Sequence, residues 1–325
     1  MILYSKDSVT NAVASMKKND RMAHGFLLQG EKGAGKKITA LYIAKTLMCE
    51  NVTDGVPCGS CRHCRRIEQG THPDVIIPER SGKLMIYNVE TIERMYEDAY
   101  VMPNDCDCKV YILPDCENIQ ERTQNMMLKL IEEPPSHAYF IFTATDKSVF
   151  LPTIISRVIT FGIPECKEDE CRRALGELEK YTSEQIDEAV SVFHGNIGCC
   201  IEYLEGNSCA EEVKLCRGII DGIISGDEYA LYKALYDVGE NREKIRNVLT
   251  LADKVIRDVC IIRLEGRDKA ELTGCYKSGA ELLSDRLSFK KAENIHDILL
   301  QNIWYCSSNV NVSAAMAALS GALMS

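Results

Sequence analysis

No stretch of the sequence approaches the roughly 20 apolar residues that a membrane-spanning helix requires. The N-terminus also lacks the basic segment followed by an apolar stretch that a secretory leader carries. These two absences predict a soluble, cytoplasmic protein. Basic residues are not in excess either: 38 Lys and Arg stand against 48 Asp and Glu, a formal net charge of −10. Broad capture of nucleic acid needs a basic surface, so the chain is expected to be a poor stand-alone DNA binder, although a local basic strip can touch phosphates inside an assembly. Internal repeats and low-complexity segments are missing. With 46% hydrophobic residues the chain has enough apolar material for real cores, which excludes disorder.

Proline is missing from everything after residue 164. All nine prolines lie between Pro57 and Pro164. The proline-bearing half also holds the strand signals: Phe26-Leu27-Leu28, Val75-Ile76-Ile77, Val110 to Leu113 and Tyr139 to Phe142 are short apolar runs, as buried parallel strands should be. Helical patterns alternate with them. One runs from Ile119 to Glu133, with Ile119, Met126, Met127, Leu130 and Ile131 on one face, and Pro134-Pro135 stops it. Alternating strands and helices predict a parallel sheet with right-handed crossovers and helices on both faces. After Pro164 the pattern is helical throughout, with Gly206-Asn207 as a break. The expected division is an α/β domain over 1–163, a small helical unit over 164–207 and a longer helical bundle over 208–325.

Between the first strand and the next helix lies Gly30-Glu31-Lys32-Gly33-Ala34-Gly35-Lys36-Lys37, the place for a P-loop. Gly30, Gly33 and Gly35 let backbone N–H groups turn around phosphates, and the helix N-terminus adds its positive end. Lys36 stands at the phosphate-binding position. The next position needs Ser or Thr to ligate Mg²⁺, and here it is Lys37. Thr39 cannot replace it, because two helical residues turn the side chain by roughly 200°. The strand from Val110 to Leu113 should end in an Asp that holds the metal and a Glu that acts as base. It is followed instead by Pro114, which has no ligand atom, and Asp115, which is shorter than Glu. The loop therefore predicts a P-loop fold with ATP and Mg²⁺ not bound productively.

The sequence has 16 cysteines and nothing secretory, so reduced thiols, some holding metal, are expected. Cys49, Cys58, Cys61 and Cys64 form C-x8-C-x2-C-x2-C, with turns at Gly55, Pro57 and Gly59. Four thiolates so spaced can close a tetrahedron around Zn²⁺, and four protein ligands make the site structural. His63 and His72 are nearby substitutes should one Cys not be a ligand. Cys106, Cys108 and Cys116, and the adjacent pair Cys199-Cys200, have no ligand spacing and read as small buried hydrophobes. Ser156-Arg157 joins a short helix to a last strand. From the residues alone Arg157 is a solvated surface charge.

His24-Gly25-Phe26-Leu27-Leu28-Gln29-Gly30, the glycine loop, the four-Cys insertion, His72-Pro73-Asp74-Val75, Lys109-Val110-Tyr111, the run Asn125 to Pro135 and Ser156-Arg157 follow in order. Over residues 1 to about 163 this resembles the clamp-loader branch of the AAA+ family, the delta-prime and gamma/tau subunits of bacterial DNA polymerase III. A weaker resemblance continues through the helical half, where Asn309-Val310-Asn311 and the following apolar helix resemble the end of a collar domain. The resemblance implies an AAA+ core, a helical lid, and a helical collar that joins subunits into a ring. That ring opens the sliding clamp and loads it on primed DNA. It implies gamma/tau ATPase and delta subunits as partners. Three positions depart from the ATPase pattern: Lys37, Pro114-Asp115 and, by alignment of Gly195-Asn196-Ile197-Gly198, Gly198 where a nucleotide-sensing Arg would stand. All three fit the delta-prime type, a stator that resembles a donor of the serine-arginine finger. Arg157, with Ser156, matches that finger, and Val158 replaces the usual Cys. An active gamma/tau-type ATPase and, more distantly, a zinc-containing P-loop nucleotide kinase are the alternative expectations.

Overall fold

The computed structural model describes residues 3–81, 86–306 and 310–324. Asn309, part of the collar resemblance, lies outside the described residues. The chain forms two compact units, Met1–Glu170 and Cys171–Ser325.

In the first unit, α1 (Asp7–Lys18) precedes β1 (Gly25–Gln29), then come α2 (Lys36–Met48), α3 (Arg62–Glu68), β2 (Val75–Ile76), α4 (Val89–Ala99) and β3 (Lys109–Leu113). After them follow α5 (Glu121–Glu132), β4 (Ala138–Ala144), a 3₁₀ turn (Lys147–Val149), α6 (Pro152–Ile155) and β5 (Ile159–Gly162). The strands form one sheet in the order β2-β3-β4-β1-β5, and every pairing is parallel. Successive strand residues point to opposite faces, so apolar runs feed two cores. Phe26, Leu28, Val110, Ile112 and Ile141 go to the core that also holds Val9, Val13 and Ile43 from α1 and α2. Leu27, Tyr111, Leu113, Phe140 and Phe142 go to the opposite core, with Ile92 and Met95 of α4 and Met127 and Leu130 of α5. The expected α/β architecture, helices on both faces of a parallel sheet, is thus what the chain forms. The apolar runs of the sequence fall on these strands, with Ile77 just past β2, and α5 carries Met127, Leu130 and Ile131 of the periodic face, with Met126 only half-buried and Ile119 buried just before the helix begins.

The second unit is helical among the described residues: α7 (Glu168–Gly176), in which the division between the units falls, then α8 (Ser183–Phe193), α9 (Ile197–Leu204), α10 (Ser208–Ser225), α11 (Glu228–Asp237), α12 (Arg242–Glu265), α13 (Lys277–Arg286), α14 (Phe289–Cys306) and α15 (Val312–Met324). Local chemistry sets several ends. Thr182 and Gln185 make a reciprocal capping box at α8, and the Asn241 side chain accepts from the N–H groups of Glu243 and Lys244 at α12. Ile245, Val248, Leu249, Ala252, Val255, Ile256 and Val259 recur at helical spacing along α12 and bury one stripe in a core shared with α10, α13 and α14. Asp258, fully buried on α12, accepts from the N–H groups of Thr273 at 2.9 Å and Gly274 at 2.7 Å, which satisfies its charge and fixes the loop before α13.

Candidate functional site

The glycine loop joins β1 to α2. The Gly30 N–H donates to Ala144 O at 3.1 Å, and a Cβ on Gly30 would come within 2.4 Å of Ile163 O, so packing alone demands glycine there. Gly35, at φ 92°, turns the backbone into the helix through a left-handed conformation that side chains disfavour. Lys36 is 7% exposed, and its Nζ donates to Gly30 O at 2.6 Å and Glu31 O at 3.1 Å. The ammonium is thus turned into its own loop. Lys37 is exposed to solvent. Thr39 is fully buried and its hydroxyl donates to Gly35 O at 3.0 Å, so it is committed to the helix backbone.

At the end of β3, Pro114 O accepts from the Tyr87 hydroxyl at 2.7 Å. Asp115 adopts φ 53°, its N–H donates to Thr143 Oγ1 at 3.0 Å, and its carboxylate lies 3.3 Å from Arg80. The carboxylate at this strand end thus has a guanidinium beside it, in a partly exposed pair that contributes about 0–1 kcal/mol. Gly198 lies in the first turn of α9.

The cysteine insertion is built on two helix ends. Cys49 caps the C-terminus of α2 and Cys61 caps the N-terminus of α3, where its sulfur accepts from the Cys64 N–H. Backbone amides surround the sulfurs: the Cys58 N–H donates to Cys49 Sγ at 3.2 Å, and those of Ser60 and Cys61 donate to Cys58 Sγ at 3.4 and 3.3 Å. The bonds from Ser60 and Cys61 hold the exposed Cys58 thiol down at about 6. All four sulfurs lie within 4.8 Å of one another, with Cys49 and Cys58 at 3.5 Å and Cys49 and Cys61 at 4.0 Å. Four thiolates around zinc at about 2.3 Å would be separated by about 3.8 Å. Donor set and spacing therefore fit a closed S₄ site in which Cys49, Cys58, Cys61 and Cys64 would hold the metal. Gly55, at φ 80°, seats the insertion on α1: a Cβ there would meet Ala14 O at 2.1 Å.

His63 and His72 do not join that cluster. They are buried beside each other and gather Cys106 instead, a grouping of three possible ligands that sequence spacing did not predict. The loose trio Cys106, Cys108 and Cys116 is split in space: Cys108 enters the core on the α1/α2 face and Cys116 the opposite one. Cys199 and Cys200 are buried, and Cys200 lies 3.8 Å from Cys171.

Arg157 follows α6 directly. Its guanidinium donates to Thr153 O at 2.9 Å and Ser156 Oγ at 3.2 Å and pairs with Glu132, at the end of α5, at 3.0 Å. The Ser156 hydroxyl donates to Thr153 O. Val158 packs under Gly25, where a Cβ would come within 2.8 Å of its Cγ1, so the serine-arginine element is keyed to the first residue of β1. Both partners of the Arg157–Glu132 pair are about 40% exposed. Such a pair contributes about 0–1 kcal/mol, so the guanidinium can leave it at little cost.

Residues 5–167 match the family described as DNA polymerase III, delta subunit. Among curated proteins, the tau subunit of DNA polymerase III from Salmonella typhimurium is 31% identical over 170 residues, covering 52% of this chain and 26% of its own length. The delta-prime subunit of Bacillus subtilis is 29% identical over 197 residues, 59% of this chain and 57% of its own length. The chain thus spans only part of the curated relatives it matches. Among solved structures, a DNA polymerase III gamma-subunit-related protein from Thermotoga maritima aligns over 96% of this chain and 98% of its own, at 15% identity and a TM-score of 0.44. Among the described residues no helix is long and apolar enough to cross a membrane.

Proposed function

We propose, since the chain belongs to the DNA polymerase III, delta subunit family, that it serves as a delta-prime-type stator of the clamp loader. In this reading it helps load the sliding clamp on primed DNA, in a ring with gamma/tau ATPase and delta subunits. Residues 164–207 would be the lid and 208–325 the collar. The observation that carries the reading is the end of β3. Pro114 stands where a metal-holding carboxylate belongs, and Asp115 is paired with Arg80 at 3.3 Å. Lys37, in place of the hydroxyl that ligates Mg²⁺, supports the same conclusion. A phosphate loop without metal ligands can keep its fold and still lack turnover.

Catalysis would then come from the neighbour's site, to which this chain contributes Arg157. Ser156 and Glu132 orient the guanidinium, as the hydrogen bond and ion pair describe. Placed against the γ-phosphoryl group in trans, it would stabilise the charge that develops during transfer. Zinc in the Cys49–Cys58–Cys61–Cys64 cluster would tie the insertion together without taking part in chemistry.

The test is calorimetric titration of the full chain with Mg-ATP. Undetectable binding, or weak binding indifferent to Mg²⁺, is the expected result. Micromolar, Mg²⁺-dependent binding would overturn the stator reading. It would favour a gamma/tau-type ATPase, for which the 31% identity with the Salmonella tau subunit speaks.

A further inference from the structure

Beside the four-cysteine cluster, three other chain segments converge. His63 lies on α3, His72 on the loop that follows it, and Cys106 on the loop before β3. Both imidazoles are only 4% exposed, while Cys106 is half-buried, which leaves a way in from solvent. His63 Nδ1 is 2.8 Å from His72 Nε2 and 3.2 Å from Cys106 Sγ, and His72 Nε2 is 3.7 Å from the same sulfur. In a tetrahedral zinc site with bonds of about 2.0–2.3 Å, neighbouring donor atoms are about 3.3–3.7 Å apart. The two separations to the sulfur are already near ligating distance, and the two imidazoles, in hydrogen-bond contact at 2.8 Å, need to part by about half an ångström.

From this arrangement we propose a second metal site, distinct from the four-cysteine cluster: His63 Nδ1, His72 Nε2 and Cys106 Sγ take a divalent cation of zinc-like softness. Three protein ligands leave a fourth position for solvent. Two acidic groups outside the trio support it. Glu50 lies 3.2 Å from His63 Nε2, with Arg62 Nε at 3.4 Å from the same nitrogen, and a carboxylate there can take up positive charge from a metal-bound imidazole. Asp74 is fully buried and accepts from the N–H groups of Asn104 at 2.6 Å, Asp105 at 2.7 Å and Cys106 at 3.1 Å, fixing the loop that presents the sulfur.

The protons can be followed. In the metal-free arrangement His72 Nδ1 accepts from the Asp74 N–H at 3.1 Å, so His72 Nε2 carries the proton and donates to His63. Metal binding takes the place of that shared proton. The His72 proton moves to Nδ1, which requires the ring to turn that N–H away from the Asp74 amide it now faces at 3.1 Å, and the Cys106 thiol proton goes to solvent, as a coordinated thiol requires. Because His63 and Cys64 are adjacent on α3, about 100° apart around the axis, one short helix serves both sites from different faces.

The experiment measures zinc bound per chain by elemental mass spectrometry. The 325-residue chain is expressed in zinc medium, and it is compared with H72Q, C106S and C61S. The expected result is about two zinc per wild-type chain and about one in H72Q and in C106S. In C61S the zinc that remains should be sensitive to a further C106S change. If C61S does not fold, H72Q and C106S decide alone, since neither touches the four-cysteine cluster. One zinc in the wild type, unchanged in H72Q and C106S, would overturn the second site and leave His63 and His72 as a hydrogen-bonded pair. One zinc lost in C106S but kept in C61S would remove the four-cysteine site and leave this one standing.

Discussion

In the proposed stator role, single residues are what stand against nucleotide turnover. Lys37 is exposed and has no hydroxyl, Thr39 has one but donates it to Gly35 O, and Asp115 has Arg80 beside it at 3.3 Å. Arg157 is the residue with the opposite tendency. Its ion pair with Glu132 is half-exposed and weak, so it is oriented without being locked. Arg157→Ala should leave the chain folded, because it removes only that pair and two local hydrogen bonds. Under the proposed finger role, in a reassembled clamp loader it should lower hydrolysis at the neighbouring site by about 10³-fold or more, the range of arginine fingers. Steady-state ATPase of the assembly with wild-type and variant chain is the measurement. An unchanged rate would take the finger role from Arg157.

At the level of elements, close approach is as important as apolar content. α10 and α11 meet at Gly222, where a Cβ would lie 2.8 Å from Leu231 Cα and 3.1 Å from its N. The obstacle is backbone, which cannot swing aside as a side-chain end can. Gly222→Ala should therefore destabilise the helical unit by about 1–3 kcal/mol despite alanine's better helix propensity, because overpacking outweighs the roughly 1 kcal/mol that Gly to Ala gains in a free helix. Urea unfolding followed by circular dichroism reads this, and a raised midpoint would mean that the helices can separate freely. The cysteine insertion belongs to the same scale. Its cysteines come from the end of one helix, the loop and the start of the next, and Gly55 presses it on α1, so turn and helix packing already gather the four sulfurs that a metal would join.

For the molecule as a whole, charge sets how it meets nucleic acid. With a net charge of −10, the isolated chain should bind double-stranded DNA more weakly than about 10⁻⁴ M at physiological salt, the weak end of nonspecific binding. Fluorescence anisotropy with a labelled duplex tests this. A micromolar affinity that falls steeply with salt would reveal a basic strip strong enough to act alone. Contact with DNA in the proposed role would then come through the assembly, where other subunits supply the cations.

The sequence by itself determined the α/β half, the helical half, the glycine loop between a strand and a helix, and the four-cysteine knuckle. The reason is that each of these is local. Apolar runs, helical periodicity, turn glycines and C-x2-C spacing act over a few residues, and the chain folds them where they stand. Tertiary structure alone decided the rest. It joined Cys106 to His63 and His72 across more than 30 intervening residues and separated it from Cys108 and Cys116. It also paired Asp115 with Arg80 and Arg157 with Glu132, and demanded glycine at 30 through Ile163, far along the chain. Such contacts depend on which segments the parallel sheet and the helical bundle bring side by side, and spacing along the chain carries no record of that.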